Sequence, residues 1–280
     1  MAENRTNTPI TLGTESIWKL LIQYSVPAII ASVATSLYNI VDSIFIGQGV
    51  GTMAISGLAI TFPLMNLVIA FCVFIAAGGA AISSIYLGQK DYSRATDVLS
   101  NVVKLSIIHS IIFGGLSLIF LDEILYFFGA TDATIKYARE FMQVILYGTP
   151  ISYLFIVLNN LMRATGYPKK AMLSALLSVL INIVLAPIFI FVLQWGIAGA
   201  ALATICGQAV SLVWHIYHFL SKTSFVHFNR SHNKLSWSII KHVYSIGLSP
   251  FLMNVCACVV VIFINKALLE TGGDQGDLAV

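Results

Sequence analysis

The chain has 280 residues, of which 58% are hydrophobic and only 10% charged, with a formal net charge of +3. A soluble domain carries about 25% charged residues, so this chain cannot clothe a water-exposed surface, and its composition predicts an all-α polytopic membrane protein. There is no basic helix or basic–aromatic run, which excludes a nucleic-acid partner.

Residues 1–16 are polar and predict a cytoplasmic tail. The apolar run after them is far longer than the h-region of a signal peptide, so the first helix is expected to stay as an anchor. Seven runs are long and apolar enough to span a bilayer: 17–46, 53–81, 98–121, 138–162, 170–193, 197–220 and 238–269. None alternates as a strand would. The connections are "GQGVGT" (47–52), a charged loop at 88–97, "DEILYFFGATDATIK" (122–136), "RATGYPKK" (163–170), "QWGIAG" (194–199) and a long polar stretch at 221–236.

With the N-terminus inside, Lys136, Arg139 and Lys266 alone face outward, and the other 12 of the 15 Lys and Arg face inward. The positive-inside rule therefore predicts an inside N-terminus and, after seven spans, an outside C-terminus. That orientation is opposite to that of seven-helix receptors and rhodopsins. Lys266, near the outer end of its run, is read as a snorkelling interfacial lysine rather than a retinal attachment point.

Pro27 and Pro250 each sit early in a long helix; fifteen residues after them come Asp42 and Asn265. Each of these helices also follows a lead-in that contains a tryptophan, Trp18 or Trp237. The seventh helix is therefore expected to restart the pattern of the first at an offset of 223 residues, as a parallel repeat of six helices. The expected organisation is a tail at 1–16, a six-helix lobe at 17–220, an inter-lobe linker at 221–236, the first helix of a second lobe at 237–270 and an outer loop piece at 271–280. On this reading the chain is truncated, and the rest of the second lobe of the same protein is its missing partner.

Polar groups inside a membrane are expensive and point to function. Asp42 is the only acid between Glu15 and Asp91. Ser32, Thr35, Ser36, Asn39, Asp42 and Ser43 recur at three- and four-residue spacing, and Tyr38 is one turn before Asp42, so one side of the first helix is polar. In the fifth helix Ser174, Ser178, Asn182 and Ala186 share a stripe; in the sixth, Thr204, Gln208 and Ser211 do. Counted from the outer loops, Asp42, Asn182 and Thr204 lie at similar depth. Oxygen ligands suit a hard cation such as Na⁺, and a carboxyl removed from water also suits a proton. Pro27 and Pro187 each remove a backbone donor, which can bend a helix. Cys72, Cys206, Cys256 and Cys258 read as small apolar side chains, His109 as a packing residue, and His215 and His218, without acidic neighbours, as poor metal ligands.

"LYNIVDSIFIG", "LGQKDYSRA" (87–95), "LMRATGYPKKAM" (161–172), "LINIVLAPIFIF" (180–191) and "GIAGAALATICGQ" (196–208) together resemble the MATE (multidrug and toxic compound extrusion) transporters, bacterial MepA/DinF-like branch, over essentially the whole chain. The resemblance implies two six-helix lobes with a cation or proton site in the first. Pro27 matches the family's helix-bending proline, Tyr38 and Asp42 its helix-1 tyrosine and carboxylate, and Asn182 and Thr204 its helix-5 asparagine and helix-6 threonine. Ala186 stands where many relatives carry a second aspartate, as "NIVLAP" here, so the site has one carboxylate and balances one monovalent charge. The expectation is a non-enzymatic, cofactor-free antiporter of the bacterial inner membrane. It would expel small lipophilic cations in exchange for H⁺, more readily than Na⁺, with Asp42, Tyr38, Asn39, Asn182 and Thr204 at the coupling site. The alternatives are a lipid-linked oligosaccharide flippase of the same superfamily, disfavoured because Arg and Lys are nearly absent from the spans, and an inactive truncated membrane protein.

Overall fold

The computed structural model describes residues 16–221, 224–228 and 235–271, except for the side chains at 265–266 and 268–271. Among these residues every regular element is helical. We label them α1 (Ile17–Gly49), α2 (Thr52–Gly88), α3 (Tyr92–Ile119), α4 (Leu121–Phe127), α5 (Ile135–Tyr147), α6 (Thr149–Ala164), α7 (Pro168–Pro187), α8 (Gly196–Leu220) and α9 (Trp237–Thr271). Six stretches are long and apolar enough to cross a membrane, and the bent pair α5–α6 makes a seventh. The tail at 1–15, residues 222–223 and 229–234 of the linker, and residues 272–280 lie outside the described residues, as does the side chain of Asn265.

The fourth expected span, 138–162, is broken. α5 and α6 meet at 58° across Gly148. Pro150 at the start of α6 has no N–H and fits a first helical turn, so the chain ends one helix and begins another there. Gly148 is also where Ile205 of α8 presses in, against the position a Cβ would take.

The charged loop expected at 88–97 is largely helix. Asp91 caps α3 by accepting a hydrogen bond from the Arg94 backbone N–H at 3.0 Å, and the helix begins at Tyr92. The 122–136 connection contains α4. Its Asp122 forms a two-pronged pair with Arg139 of α5, at 2.7 and 2.6 Å. α7 runs on past Pro187 into a wide turn at Ile188–Val192, where the missing proline N–H loosens the helical ladder. The described part of the 221–236 stretch folds back on the bundle. Val226 is buried, Phe225 stacks on Tyr92, and the Ser236 N–H donates to Asn101 Oδ1 at 2.8 Å.

α2 is the central helix, in contact with α3, α6 and α9. α1 leans mainly on α7 and buries Pro27, Ala31, Asp42 and Ile46. Much of the rest of its surface is exposed and apolar, including Ile29, Val33, Leu37 and Ile40, as lipid-facing side chains require. α9 crosses α2 at two glycines. A Cβ on Gly78 would strike the Val243 carbonyl, and one on Gly247 the Phe74 carbonyl. Small residues at a crossing let two membrane helices approach backbone to backbone.

Candidate functional site

α1, α6, α7 and α8 enclose a cavity of about 380 Å³, open on one side. Along α1, α6 and α7 the lining runs for about two turns, or roughly 10 Å, and along α8 for about one. At one end lie Tyr38, Asn182 and Thr204; at the other lies Arg163, with Phe155, Ile156, Ala175 and Val179 along the walls between them.

Tyr38, Asn182 and Thr204 are joined. Tyr38 Oη is 2.8 Å from Thr204 Oγ1, and Asn182 Nδ2 donates to the same oxygen at 2.9 Å. The Thr204 hydroxyl in turn donates to the Ala200 carbonyl at 3.3 Å. A hydroxyl has one hydrogen and two lone pairs. Thr204 therefore uses all three, and the Tyr38 proton points to Thr204. This leaves the Tyr38 lone pairs as acceptors.

Asp42 lies one turn from Tyr38 on the buried side of α1, 7% exposed, and its Oδ1 is buried without a hydrogen-bond partner. Buried polar atoms are ordinarily partnered. An acceptor-only carboxylate with an idle oxygen fits H⁺ or a hard monovalent cation, which would satisfy it directly. Ala186, one turn after Asn182 on α7, is completely buried and offers no oxygen. Pro27 is buried within an unbroken α1, just over three turns before Tyr38.

Asn39 lies elsewhere. Its side chain is exposed, and with Ser43, Gly47 and Phe62 it lines a shallow groove on another side of α1, where Ser43 Oγ bonds the Asn39 carbonyl at 2.9 Å. One residue along a helix is a turn of about 100°, so the Asn39–Ser43 stripe and the Tyr38–Asp42 stripe diverge.

The other end of the cavity holds a group that the sequence reading counted only as an inner-loop charge. Arg163 donates to Asn159 Oδ1 from both Nε (3.0 Å) and Nη2 (2.7 Å). Asn159 is in turn fixed by donating to the Ala171 carbonyl at 2.9 Å and to Ser174 Oγ at 3.1 Å. Ser174 Oγ sits 2.7 Å from His215 Nε2, and the His215 ring stacks on Phe155. His215 is thus buried against Ser174, Asn159 and Phe155, and His109 pairs with Tyr244 of α9 at 2.8 Å. The expectation that the spans are nearly free of cations needs revision at one position, because the wall of this cavity contains Arg163. The signal available in the sequence was the i, i+4 spacing of Asn159 and Arg163.

A family model described as MatE matches residues 27–188. The multidrug export protein MepA of Staphylococcus haemolyticus (strain JCSC1435) is 32% identical over 257 residues, covering 92% of this chain and 57% of that protein. The structure of a complex of the MATE multidrug transporter DinF-BH aligns with a TM-score of 0.88 at 33% identity, over 95% of this chain and 60% of that one. A MOP superfamily transporter from Pyrococcus furiosus, described as having a binding pocket of reverse polarity that suggests a different function, aligns with a TM-score of 0.88 at 26% identity, over 98% of this chain and 61% of that one. The chain therefore spans a little over half the length of the relatives it matches.

Proposed function

The chain belongs to the MatE family, and from that premise we propose that it forms the ion-coupled lobe of a multidrug efflux antiporter. It works with a second six-helix lobe in the bacterial cytoplasmic membrane, its N-terminus inside. The two lobes rock about a shared cavity near the bilayer midplane, as in transporters built from parallel repeats. Asp42 carries the coupling ion, and lipophilic cations are expelled in exchange for it.

The observation that carries this reading is the buried, unpartnered Oδ1 of Asp42 one turn from the Tyr38–Thr204–Asn182 cluster. With alanine at 186, one carboxylate balances one charge, and we assign that charge to H⁺ in preference to Na⁺. Protonation neutralises Asp42, so α1 need no longer hold a charge against α7 and is free to move near Pro27, where a backbone donor is missing. The multidrug names of MepA and DinF-BH, at 32% and 33% identity, support a multidrug export role.

The deciding experiment is dye efflux in vesicles that hold the transporter with its second lobe, driven by a proton gradient in the absence of Na⁺. Efflux that persists without Na⁺ and stops when the proton gradient is collapsed is expected. Efflux driven by a Na⁺ gradient alone would overturn the assignment of the ion.

A further inference from the structure

We propose that Arg163 is the seat for an acidic group, a carboxylate or phosphate, on amphiphiles that enter the cavity between α1, α6, α7 and α8. This rests on the efflux reading for the cavity's being a transport site and narrows its lipophilic cations to those that also carry an acidic group, as a rhodamine acid does.

Arg163 ends α6, where a cation commonly balances the helix dipole and the side chain can reach water. Its geometry is different. The guanidinium turns back one turn and lies along the cavity wall, with Nε and Nη2 both held on the single oxygen of Asn159. Asn159 is 3% exposed and is itself fixed by α7, through the Ala171 carbonyl and Ser174, so the fork is anchored to a side chain that cannot swing without breaking its bonds to a second helix.

The partner of this arginine is a neutral amide. Among the described residues no acid lies within ion-pair distance of Arg163, and its Nη1 makes no hydrogen bond. The other cavity-lining side chains are neutral, so the wall bears one positive charge and no negative one. A half-buried arginine held only by a neutral amide leaves its charge unbalanced and open to an incoming anion. A pre-set planar donor is what carboxylates and phosphates bind best. Phe155, Ile156, Ala175 and Val179 then cover a lipophilic body about 10 Å long toward the Tyr38 end.

Two dyes with one body separate charge from shape: a rhodamine carboxylic acid and its ethyl ester. The purified chain in neutral phosphatidylcholine nanodiscs is titrated with each, and binding is read by fluorescence anisotropy. The acid should bind about tenfold tighter than the ester, the scale of one charge-assisted hydrogen bond. In Arg163→Gln the acid-to-ester preference should fall to near unity, and Arg163→Lys should keep part of it. Equal binding of acid and ester by the unaltered chain, or an undiminished preference in Arg163→Gln, overturns the proposal. If Arg163→Gln binds neither dye, the acid-to-ester ratio of the unaltered chain still decides. Repeating the titration with anionic phosphatidylglycerol identifies the source: competition assigns the seat to a lipid headgroup, no competition to a dissolved amphiphile. Acid preference without vesicle efflux of either dye counts against the transport reading and leaves the seat standing.

Discussion

The hydroxyl of Tyr38 lies 2.8 Å from Oγ1 of Thr204, joining α1 to α8 across 166 residues of sequence. Thr204 is the hub, because Asn182 of α7 donates to the same oxygen. Removing the hub must therefore hurt more than removing a spoke. Tyr38→Phe deletes one hydrogen bond and is expected to cost about 0.6–1 kcal/mol, the usual range between membrane helices. Thr204→Val strands both Tyr38 and Asn182 and is expected to cost about 1–3 kcal/mol. Thermal unfolding in detergent should rank unaltered chain, Tyr38→Phe and Thr204→Val in falling order. A smaller loss for Thr204→Val than for Tyr38→Phe would show that the cluster does not hold the three helices together.

Asp42→Asn keeps the size of the side chain and removes its charge. The variant should still bind a lipophilic dye, since Asp42 does not line the cavity. Its efflux should lose all dependence on the proton gradient, because an amide cannot release a proton. Proton release on dye addition to the purified protein measures this directly. Ion-coupled efflux by Asp42→Asn at the unaltered rate would remove Asp42 from the coupling site.

Ala186→Asp tests the one-charge argument by restoring the second carboxylate. The slot is completely buried, so an added acid must be protonated or meet a cation. The variant should unfold at lower temperature than the parent and recover as Na⁺ is added. Ligand linkage gives about 2.7 kcal/mol at a hundredfold excess over Kd. The parent chain should show no comparable Na⁺ response. A Na⁺ response equal in both proteins would mean that the oxygens around Asp42 already suffice for Na⁺.

The sequence made the helices legible because about twenty apolar residues in a row have few alternatives in a bilayer. It made the Tyr38–Asp42 stripe legible because helical spacing is local. It was weaker wherever the answer lay in a neighbour. Asn39 has the same i, i+4 relation to Ser43 as Tyr38 has to Asp42, and only the packing of α7 against α1 shows which stripe is enclosed. The break at Gly148 was hidden in an unbroken apolar run, although Pro150 was in plain view. Arg163 read as a loop charge because it ends its helix; that it folds back on Asn159 depends on α7 fixing Asn159 from the other side.

The α2–α9 crossing gives a prediction about packing alone. A methyl at Gly247 would meet the Phe74 carbonyl, and one at Gly78 the Val243 carbonyl. Neither backbone can yield as a flexible side chain would, so Gly247→Ala and Gly78→Ala should each cost about 1–3 kcal/mol, the usual penalty of overpacking. Gly115, near the C-terminal end of α3, has nothing within 4 Å of its added methyl. Gly115→Ala should be neutral or stabilise by up to about 1 kcal/mol, since alanine is the better helix former. The contrast in unfolding temperature isolates the crossing from helix propensity, and equal effects at all three glycines would rule out the close approach.

Asn159→Asp addresses the charge at the far end of the cavity without touching Arg163. The two guanidinium donors already converge on Asn159 Oδ1 at 3.0 and 2.7 Å. An aspartate there places a full negative charge on the one oxygen that both donors share, so the neutral contact becomes an ion pair. Its second oxygen replaces the amide nitrogen that donates to the Ala171 carbonyl and Ser174 Oγ. Ser174 can turn its hydroxyl to donate to that oxygen, whereas the carbonyl cannot, so a loss of about 1–2 kcal/mol in stability is expected. With the guanidinium charge balanced from within, the roughly tenfold preference for a dye acid over its ester should fall to near unity. Because the arginine stays in place, a preference that survives in Asn159→Asp would mean that it arises from shape or from another donor rather than from the unbalanced charge of Arg163.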